Sequence, residues 1–590
     1  MCIQKMIMSS MQFHREPSWD GGPMKFGRSA VYYASLSFRT GWKCATDQTR
    51  METSPLNRTR PVVAGLRGAV ASAHPLASAA GLEILKAGGH AVDAVVTMAV
   101  TLGVVEPYMS GVGGVGFLLL HEAHGTTRVL NFSGNTPARG TPDQYTYETR
   151  EHGVRAPLIP GNVAGWFEAL REYGRMPMDR IFSPAIEHAE RGFPLHPFNV
   201  EQIRVALPRL NPAGRAIFGN VSLRIGAVLR QPELAQTLRR LVIEGADYFY
   251  RGDLAARIDR LMSDEGALIT GADLANYRSD WEAPIAVDYR GFTVKTCPPN
   301  NEGFQILQTL KILEAFDVQS LGQNSADYIH LLAEAVKLAV ADRIRWAGDP
   351  KFTLIPLDRL LSESYVAERR RVIDQRCAAP SEGERWRSAA DPQSIRPGTI
   401  DGLTTHLAAV DESGNVASIT QSLGHGFGSG VFIPGTGVAL NSFAHWCEID
   451  PACPTPNLIA PGKRWAACMA PVHVFRDEGE RFWFSIATPG SYGILHTTVQ
   501  MLLNIVEFGA DCQAAIEAPR FRLYENTRMQ IESRIPEAVL NELARRGHEI
   551  ERVGDYNLLV GGGQAVMIDP ESSARLAGAD PRRDGYALAY

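Results

Sequence analysis

The chemistry open to this chain gathers in one short stretch of hydroxyls. Thr404-Thr405-His406 begins a run of apolar and β-branched residues, and Ser418, Thr420 and Ser422 lie on the next such run. Between the runs, Asp411-Glu412-Ser413-Gly414-Asn415 is a polar turn, so the segment is predicted to be a β-hairpin with Thr404 where a strand begins. Opposed strands bring such hydroxyls within reach of one another. A threonine hydroxyl is a poor nucleophile and needs an adjacent base. One solution is to cut the chain before the residue and free its own α-amine. That amine has a pKa near neutrality and can take the hydroxyl proton. A threonine at a strand start is also ordinary strand chemistry, so the pattern alone leaves both readings open.

Other candidate motifs carry less. Gly111-Val112-Gly113-Gly114-Val115-Gly116 fits G-x-G-x-x-G, but a helix is predicted before it and a strand after it, the reverse of a dinucleotide site. Tight backbone packing accounts for it better. His121 and His124 are three apart rather than four, which is not metalloprotease spacing. His425 and His445 lie among glycines and aromatics without a third ligand in view. No G-x-S-x-G elbow occurs. No cofactor and no metal are called.

The elements that must position the hairpin are legible around it. Ala69-Val70-Ala71-Ser72 reads as a strand. A helix opening at His74-Pro75-Leu76 runs to Lys86 and stops at Gly88-Gly89. A buried helix spans 91–105, followed by the glycine loop and a strand from Phe117 to His121. Further helices are predicted over 162–174, 234–243, 304–316 and 325–346. Arg369 to Arg396, charged and bearing Pro and Ser, is read as a mobile approach to the hairpin. After Thr404, strands separated by glycine turns precede a helix over 495–508. The mixture predicts a layered α/β (α+β) architecture.

The totals bound the function. At 590 residues, 45% hydrophobic and 21% charged, the chain is an ordinary globular protein. A net charge of -5 with no basic cluster offers nucleic acid no footprint. The longest apolar run, Ala94 to Val105, is too short to span a membrane. Eight cysteines without a CxxC pair indicate neither a zinc ribbon nor a disulfide framework. Cys447 and Cys453 are close in sequence and expected to be unbridged. Residues 1–65 read as a loosely ordered arm without a signal-peptide core, so a cytoplasmic protein is expected, with periplasmic or secreted placement left open.

Several segments, in order, resemble the γ-glutamyltranspeptidase family of self-cleaving N-terminal-nucleophile hydrolases. They include Ala87-Gly88-Gly89-His90-Ala91-Val92-Asp93-Ala94, Val105-Glu106-Pro107 with Ser110 to Gly114, and Pro160 to Trp166. Glu334 to Ala339, Gly348-Asp349-Pro350 and Thr404-Thr405-His406 follow, then Phe427 to Gly430, Pro461-Gly462-Lys463-Arg464, Pro489-Gly490 and Asp580-Pro581-Arg582. The resemblance implies a four-layer αββα fold and cleavage between Leu403 and Thr404. Residues 66–403 would form a large subunit and 404–590 a small one, a heterodimer alone or within a larger oligomer. It further implies Thr404 as nucleophile, Ser422 in place of a supporting family threonine, and the backbone N–H groups of Gly490 and Ser491 as oxyanion hole. Water or an amine would accept the acyl group.

The family's substrate pocket is not kept. Its carboxylate-binding arginine has no counterpart in Asn131-Phe132-Ser133-Gly134-Asn135, and two family serines are Ala467 and Cys468. The acidic residue that takes the substrate amine is replaced within Phe443-Ala444-His445-Trp446, and a family asparagine is Gly424. A buried charge without partners costs several kcal/mol, so an ordinary γ-glutamyl substrate is disfavoured. The expected enzyme is an acylase-like amidohydrolase for a small acyl amide, its pocket walled by Phe443, His445, Trp446 and Trp465, with Ala467 and Cys468 beside them. Cys468 is expected to pack rather than react. The alternative is a catalytically silent relative acting as a binding or scaffold protein.

Overall fold

The strand that opens with Thr404 lies in the middle of a seven-stranded antiparallel sheet. Its order is Tyr586–Ala589, Ala69–Ser72, Leu403–Val410, Val416–Gly424, Val115–His121, Thr127–Phe132 and Asp280–Glu282. A second seven-stranded sheet runs Val63–Gly65, Arg575–Ala579, Gln564–Ile568, Arg481–Ala487, Val472–Arg476, Phe292–Thr296 and Ile285–Tyr289. This computed structural model describes residues 59–590 apart from 381–402, 454 and 525. The expected arm therefore lies outside the described residues up to 58. Its last residues differ from the expectation, because Val63–Gly65 pairs with Arg575–Ala579 as an edge strand.

The two sheets face each other across a thin apolar layer of small residues, Ala69, Ala71, Ala408, Val416 and Ala577, sealed by Phe475 and Phe482. Small side chains let the sheets approach closely. On the outer face of the first sheet lies the helix Ala91–Val105, every residue of which is buried. A helix apolar all round belongs between two layers. Its start is fixed by a capping box in which Asp93 accepts from the His90 amide and His90 caps the first turn. The helices Phe304–Leu313, Gly493–Val506 and Cys512–Glu517 cover the second sheet. The architecture is the four-layer αββα sandwich expected.

The hairpin turn is pinned by its own side chains. Asp411 accepts from the Asn415 amide at 2.9 Å and, through its other oxygen, from the Ala91 amide at 3.1 Å. The turn thus locks the hairpin to the start of the buried helix. Strands from before and after residue 404 pair with one another in both sheets, so the two halves share their hydrogen-bond ladders. Most boundaries follow the sequence pattern; the helix predicted over 304–316 ends at Leu313, and Arg369-Arg370 close a helix Glu363–Arg370. Residues 381–396 of the expected mobile approach lie outside the described residues. The glycine loop has a helix before it and a strand after it, the reverse of a dinucleotide site.

Candidate active site

Thr404 stands opposite Ser422, and between Leu403 and Thr404 the ladder slips so that Leu403 faces Gly424. A β-bulge bends the strand and re-aims its side chains; this one falls on the Leu403–Thr404 peptide. Leu423, displaced from the ladder, donates its amide to the Met109 carbonyl at 2.9 Å. The Thr404 hydroxyl donates to Ser422 Oγ at 3.3 Å, and Ser422 Oγ donates to the Leu403 carbonyl at 2.7 Å. The Gly424 amide donates to the same Ser422 oxygen at 2.8 Å. The Ser422 hydroxyl therefore links the Thr404 hydroxyl to the carbonyl preceding it. The other hairpin hydroxyls go elsewhere: Thr420 to His406 at 2.9 Å and Ser418 to His473 at 3.1 Å.

Arg583 braces the strand that opens with Thr404 from the far end of the chain. Its Nη1 donates to the Thr404 carbonyl at 2.9 Å, while Thr405, on the opposite face, donates to Glu106 Oε2 at 3.3 Å. Burial pushes the Glu106 carboxyl up to about 8, against the pull of the Arg583 guanidinium. The chain just before Arg583 is held by a buried ionic network. Asp580 pairs with Arg520 at 2.6 Å and with Arg582 at 3.1 Å, and Arg582 reaches Glu532 at 2.6 Å. Burial alone would raise the Asp580 carboxyl; the two guanidiniums hold it down at about 2. Arg583 and Glu106 carried no assigned role in the sequence analysis. Arg583 directly follows the Asp580-Pro581-Arg582 motif, but nothing local relates it to a residue 179 positions earlier.

Gly490 and Ser491 form the turn between the strand Arg481–Ala487 and the helix Gly493–Val506. Both have positive φ, +132° and +55°. Their carbonyls accept from Gly493 and Ile494 at 3.0 Å, whereas their amides meet no acceptor among the described residues. Free amides at a helix N-terminus are anion-binding donors. The turn leans on Gly561, whose α-carbon a side chain at Gly490 would meet at 3.6 Å. A side chain at Gly562, the next residue, would meet Arg583 Cδ at 2.6 Å. Thr404 and the 490–491 turn are thus braced through the same Gly561-Gly562 and Arg583 contacts.

The residues assigned to the pocket form one aromatic cluster. Phe443 stacks on Trp465 with centroids 4.4 Å apart, Trp446 lies 5.3 Å from Phe443 and 5.9 Å from Trp465, and His445 meets Trp446 at 5.1 Å. Gly424 explains how this cluster reaches the bulge at Thr404. Its φ is +98°, and a side chain there would lie 2.6 Å from Ser442 Oγ and 3.3 Å from the Trp446 ring. The Trp446 ring therefore abuts the bulge beside Thr404. His445 and His425 are held neutral, His445 at about 3, by burial first and then by nearby cationic groups.

Ala467 is held in register with Asn300–Glu302 by backbone bonds of 2.9 and 2.8 Å. Burial raises the Cys468 thiol well above its usual range, with Glu302 adding to the effect, so it stays protonated. Cys447 is a free thiol and does not bridge to Cys453. Arg464, three residues before Ala467, is paired with Asp280 at 2.7 Å and Glu282 at 3.2 Å. Two surface clefts of about 490 and 560 Å³ open elsewhere, the first beside Asn135, Tyr277 and Arg464, and neither is lined by Thr404.

Comparison with known proteins shows the family to which this fold belongs. Residues 77–590 match the family described as Gamma-glutamyltranspeptidase. The chain is 36% identical over 544 residues to the Acylase ACY 1 proenzyme of Pseudomonas sp. (strain SE83), covering 89% of this chain and 94% of that one. It is 33% identical over 552 residues to the Glutathione hydrolase proenzyme of Bacillus subtilis (strain 168), covering 90% and 92%. The crystal structure of cephalosporin acylase from Bacillus halodurans superimposes with a TM-score of 0.82 at 32% identity, over 91% of this chain and 98% of that one. Among the described residues no helix is long and apolar enough to cross a membrane. With its fold and these relatives in agreement, the chain belongs to the gamma-glutamyltranspeptidase family of enzymes.

Proposed function

We propose that the chain cuts itself between Leu403 and Thr404 and then acts as a threonine amidohydrolase on a small acyl amide. The observation that carries this is the Ser422 hydroxyl, bonded at once to the Thr404 hydroxyl and the Leu403 carbonyl. Donation to that carbonyl polarises it toward attack by Thr404 Oγ1. Attack transfers the leucyl acyl group from nitrogen to oxygen. Water then hydrolyses the ester, leaving a Leu403 carboxylate and a free Thr404 α-amine. The related acylase and glutathione hydrolase are both named proenzymes, which supports a cut two-subunit form.

In the cut enzyme the Thr404 amine takes the hydroxyl proton as Oγ1 attacks the substrate carbonyl. The oxyanion would be received by the amides of Gly490 and Ser491. Collapse expels the amine, and water or a second amine removes the acyl group. The aromatic wall of Phe443, Trp446 and Trp465, with Arg464 already paired, favours an acyl group without the α-amino and α-carboxyl handles of glutamate. Buried charges left without partners would be strongly disfavoured there.

A second reading, a silent scaffold protein, is favoured by one observation: Thr404 is buried and lines neither described cleft. Intact-mass analysis of the purified protein beside Thr404→Ala decides between them. Two fragments meeting at Leu403 and Thr404 in the parent only, with turnover of an apolar acyl amide, are expected. A single uncut chain in both would leave the scaffold reading standing.

A further inference from the structure

The helix Ala326–Trp346 carries His330 and Glu334 one turn apart on the same face. His548, just before the strand Glu549–Arg552, closes on them from the other half of the chain. His330 Nδ1 lies 2.9 Å from His548 Nε2, and one ligand atom from each of the three residues falls within a 4.8 Å group. All three side chains are buried. None of them belongs to the site around Thr404.

We propose that His330, Glu334 and His548 form a binding site for a divalent transition metal of the zinc class, which clamps the two halves of the chain together. The clamping role rests on the proposed cut at Leu403–Thr404, since His330 and Glu334 precede it and His548 follows it. The binding site itself does not depend on the cut.

The donor set is two imidazoles and a carboxylate, a combination that suits zinc and leaves a position open. The outer contacts already orient it. His330 Nε2 is 2.8 Å from the Asp374 carbonyl, which can only accept, so the proton sits on Nε2 and the lone pair of Nδ1 points at His548. His548 Nε2 must then donate to Nδ1, which leaves its own Nδ1 deprotonated and, among the described residues, buried without a hydrogen-bond partner. A metal would take the lone pair of His330 Nδ1 and that of His548 Nε2. The displaced Nε2 proton moves to His548 Nδ1, so the imidazole stays neutral and no proton is lost. Glu334 Oε2 accepts weakly from the Ala379 amide at 3.3 Å, while Oε1 pairs with the Lys337 ammonium at 2.5 Å. Lys337 is the cation that an arriving metal has to compete with.

The test uses the full chain, stripped with EDTA and titrated with Zn²⁺ alone by isothermal calorimetry, with metal content measured after gel filtration. One zinc per chain is expected. His548→Gln and Glu334→Gln should each weaken binding by about tenfold or more, and Lys337→Gln should strengthen it; a far-ultraviolet circular dichroism spectrum matching the parent's in each shows that the variants fold. Thr404→Ala, left uncut, should bind zinc as the parent does, which separates failure of the site from failure of the cut. In the cut protein, zinc should raise the urea concentration at which the two fragments part, and not in His548→Gln. No zinc retained, or equal retention in the parent and in His548→Gln and Glu334→Gln, overturns the site. Equal urea resistance with and without bound zinc overturns the clamp.

Discussion

The Ser422 hydroxyl lies 2.7 Å from the carbonyl oxygen of Leu403, across a bulge that places the Leu403–Thr404 peptide out of the regular ladder. Its proton goes to that carbonyl, and its oxygen receives the Thr404 hydroxyl and the Gly424 amide. The arrangement makes the first prediction direct. Ser422→Ala should slow appearance of the two fragments by about 100-fold, the scale for losing one donor to a developing oxyanion. Ser422→Thr should retain most of the rate. A time course of fragment yield on a denaturing gel measures both, and equal rates in Ser422→Ala and the parent would remove Ser422 from the mechanism.

Arg583 is a positioning residue: it holds the Thr404 carbonyl and touches no reacting atom. Removing one charged hydrogen-bond partner inside the protein costs about 1.5–3 kcal/mol. Arg583→Met should therefore lower kcat by about tenfold or more with little change in KM. Arg583→Lys should recover part of the loss. A rise in KM at constant kcat would instead place Arg583 in substrate binding.

Glu106 makes stability fall as pH rises. Its folded pKa of about 8 lies above the usual 4.5, so between those values the folded state holds a proton that the unfolded chain has released. Stability linked to this group is full below about pH 4.5 and declines up to about pH 8, by about 1.4 kcal/mol for each pH unit inside the window at most. Glu106→Gln should flatten that part of the curve. Thermal unfolding of parent and variant from pH 5 to 8 reads the difference, and parallel curves would refute it.

Gly424 is required by two features at once, a φ of +98° and the closeness of Ser442 Oγ and the Trp446 ring. Gly424→Asn, the residue that the family resemblance implies here, should destabilise the protein by about 1–3 kcal/mol through strain and overpacking. Adding Trp446→Ala should recover part of that loss, because only the ring contact is relieved. Urea unfolding of the single and double variants measures the coupling; simple additivity would mean that the ring does not oppose the side chain.

Much of the local structure was legible because its causes are short-range. The strand Ala69–Ser72 and the helices Pro75–Lys86 and Ala91–Val105 follow from residues within a turn of each other: a proline at a helix start, a glycine pair after its end, an unbroken apolar run. The hairpin was legible for the same reason, since Asp411 and Asn415 close their own turn. The pairing of Thr404 with Ser422 followed from the hairpin register.

Tertiary structure decided the rest, because the deciding contacts join residues far apart in the chain. Nothing near Arg583 indicates that it grips the Thr404 carbonyl, and nothing near His548 indicates that it meets His330. The strands Gln564–Ile568 and Arg575–Ala579 were not read either: they are short, and their place in the second sheet is set by partners on both sides of residue 404. The sequence by itself singled out Thr404 as the candidate nucleophile and, through its family resemblance, which family groups its pocket lacks. Only the folded chain determined that the Trp446 ring lies against the bulge at Gly424, that Arg464 is already paired, and that Ser422 reaches the carbonyl of Leu403. Side-chain identity is local information, whereas the charge balance and free space around a side chain are set by whatever the fold brings against it.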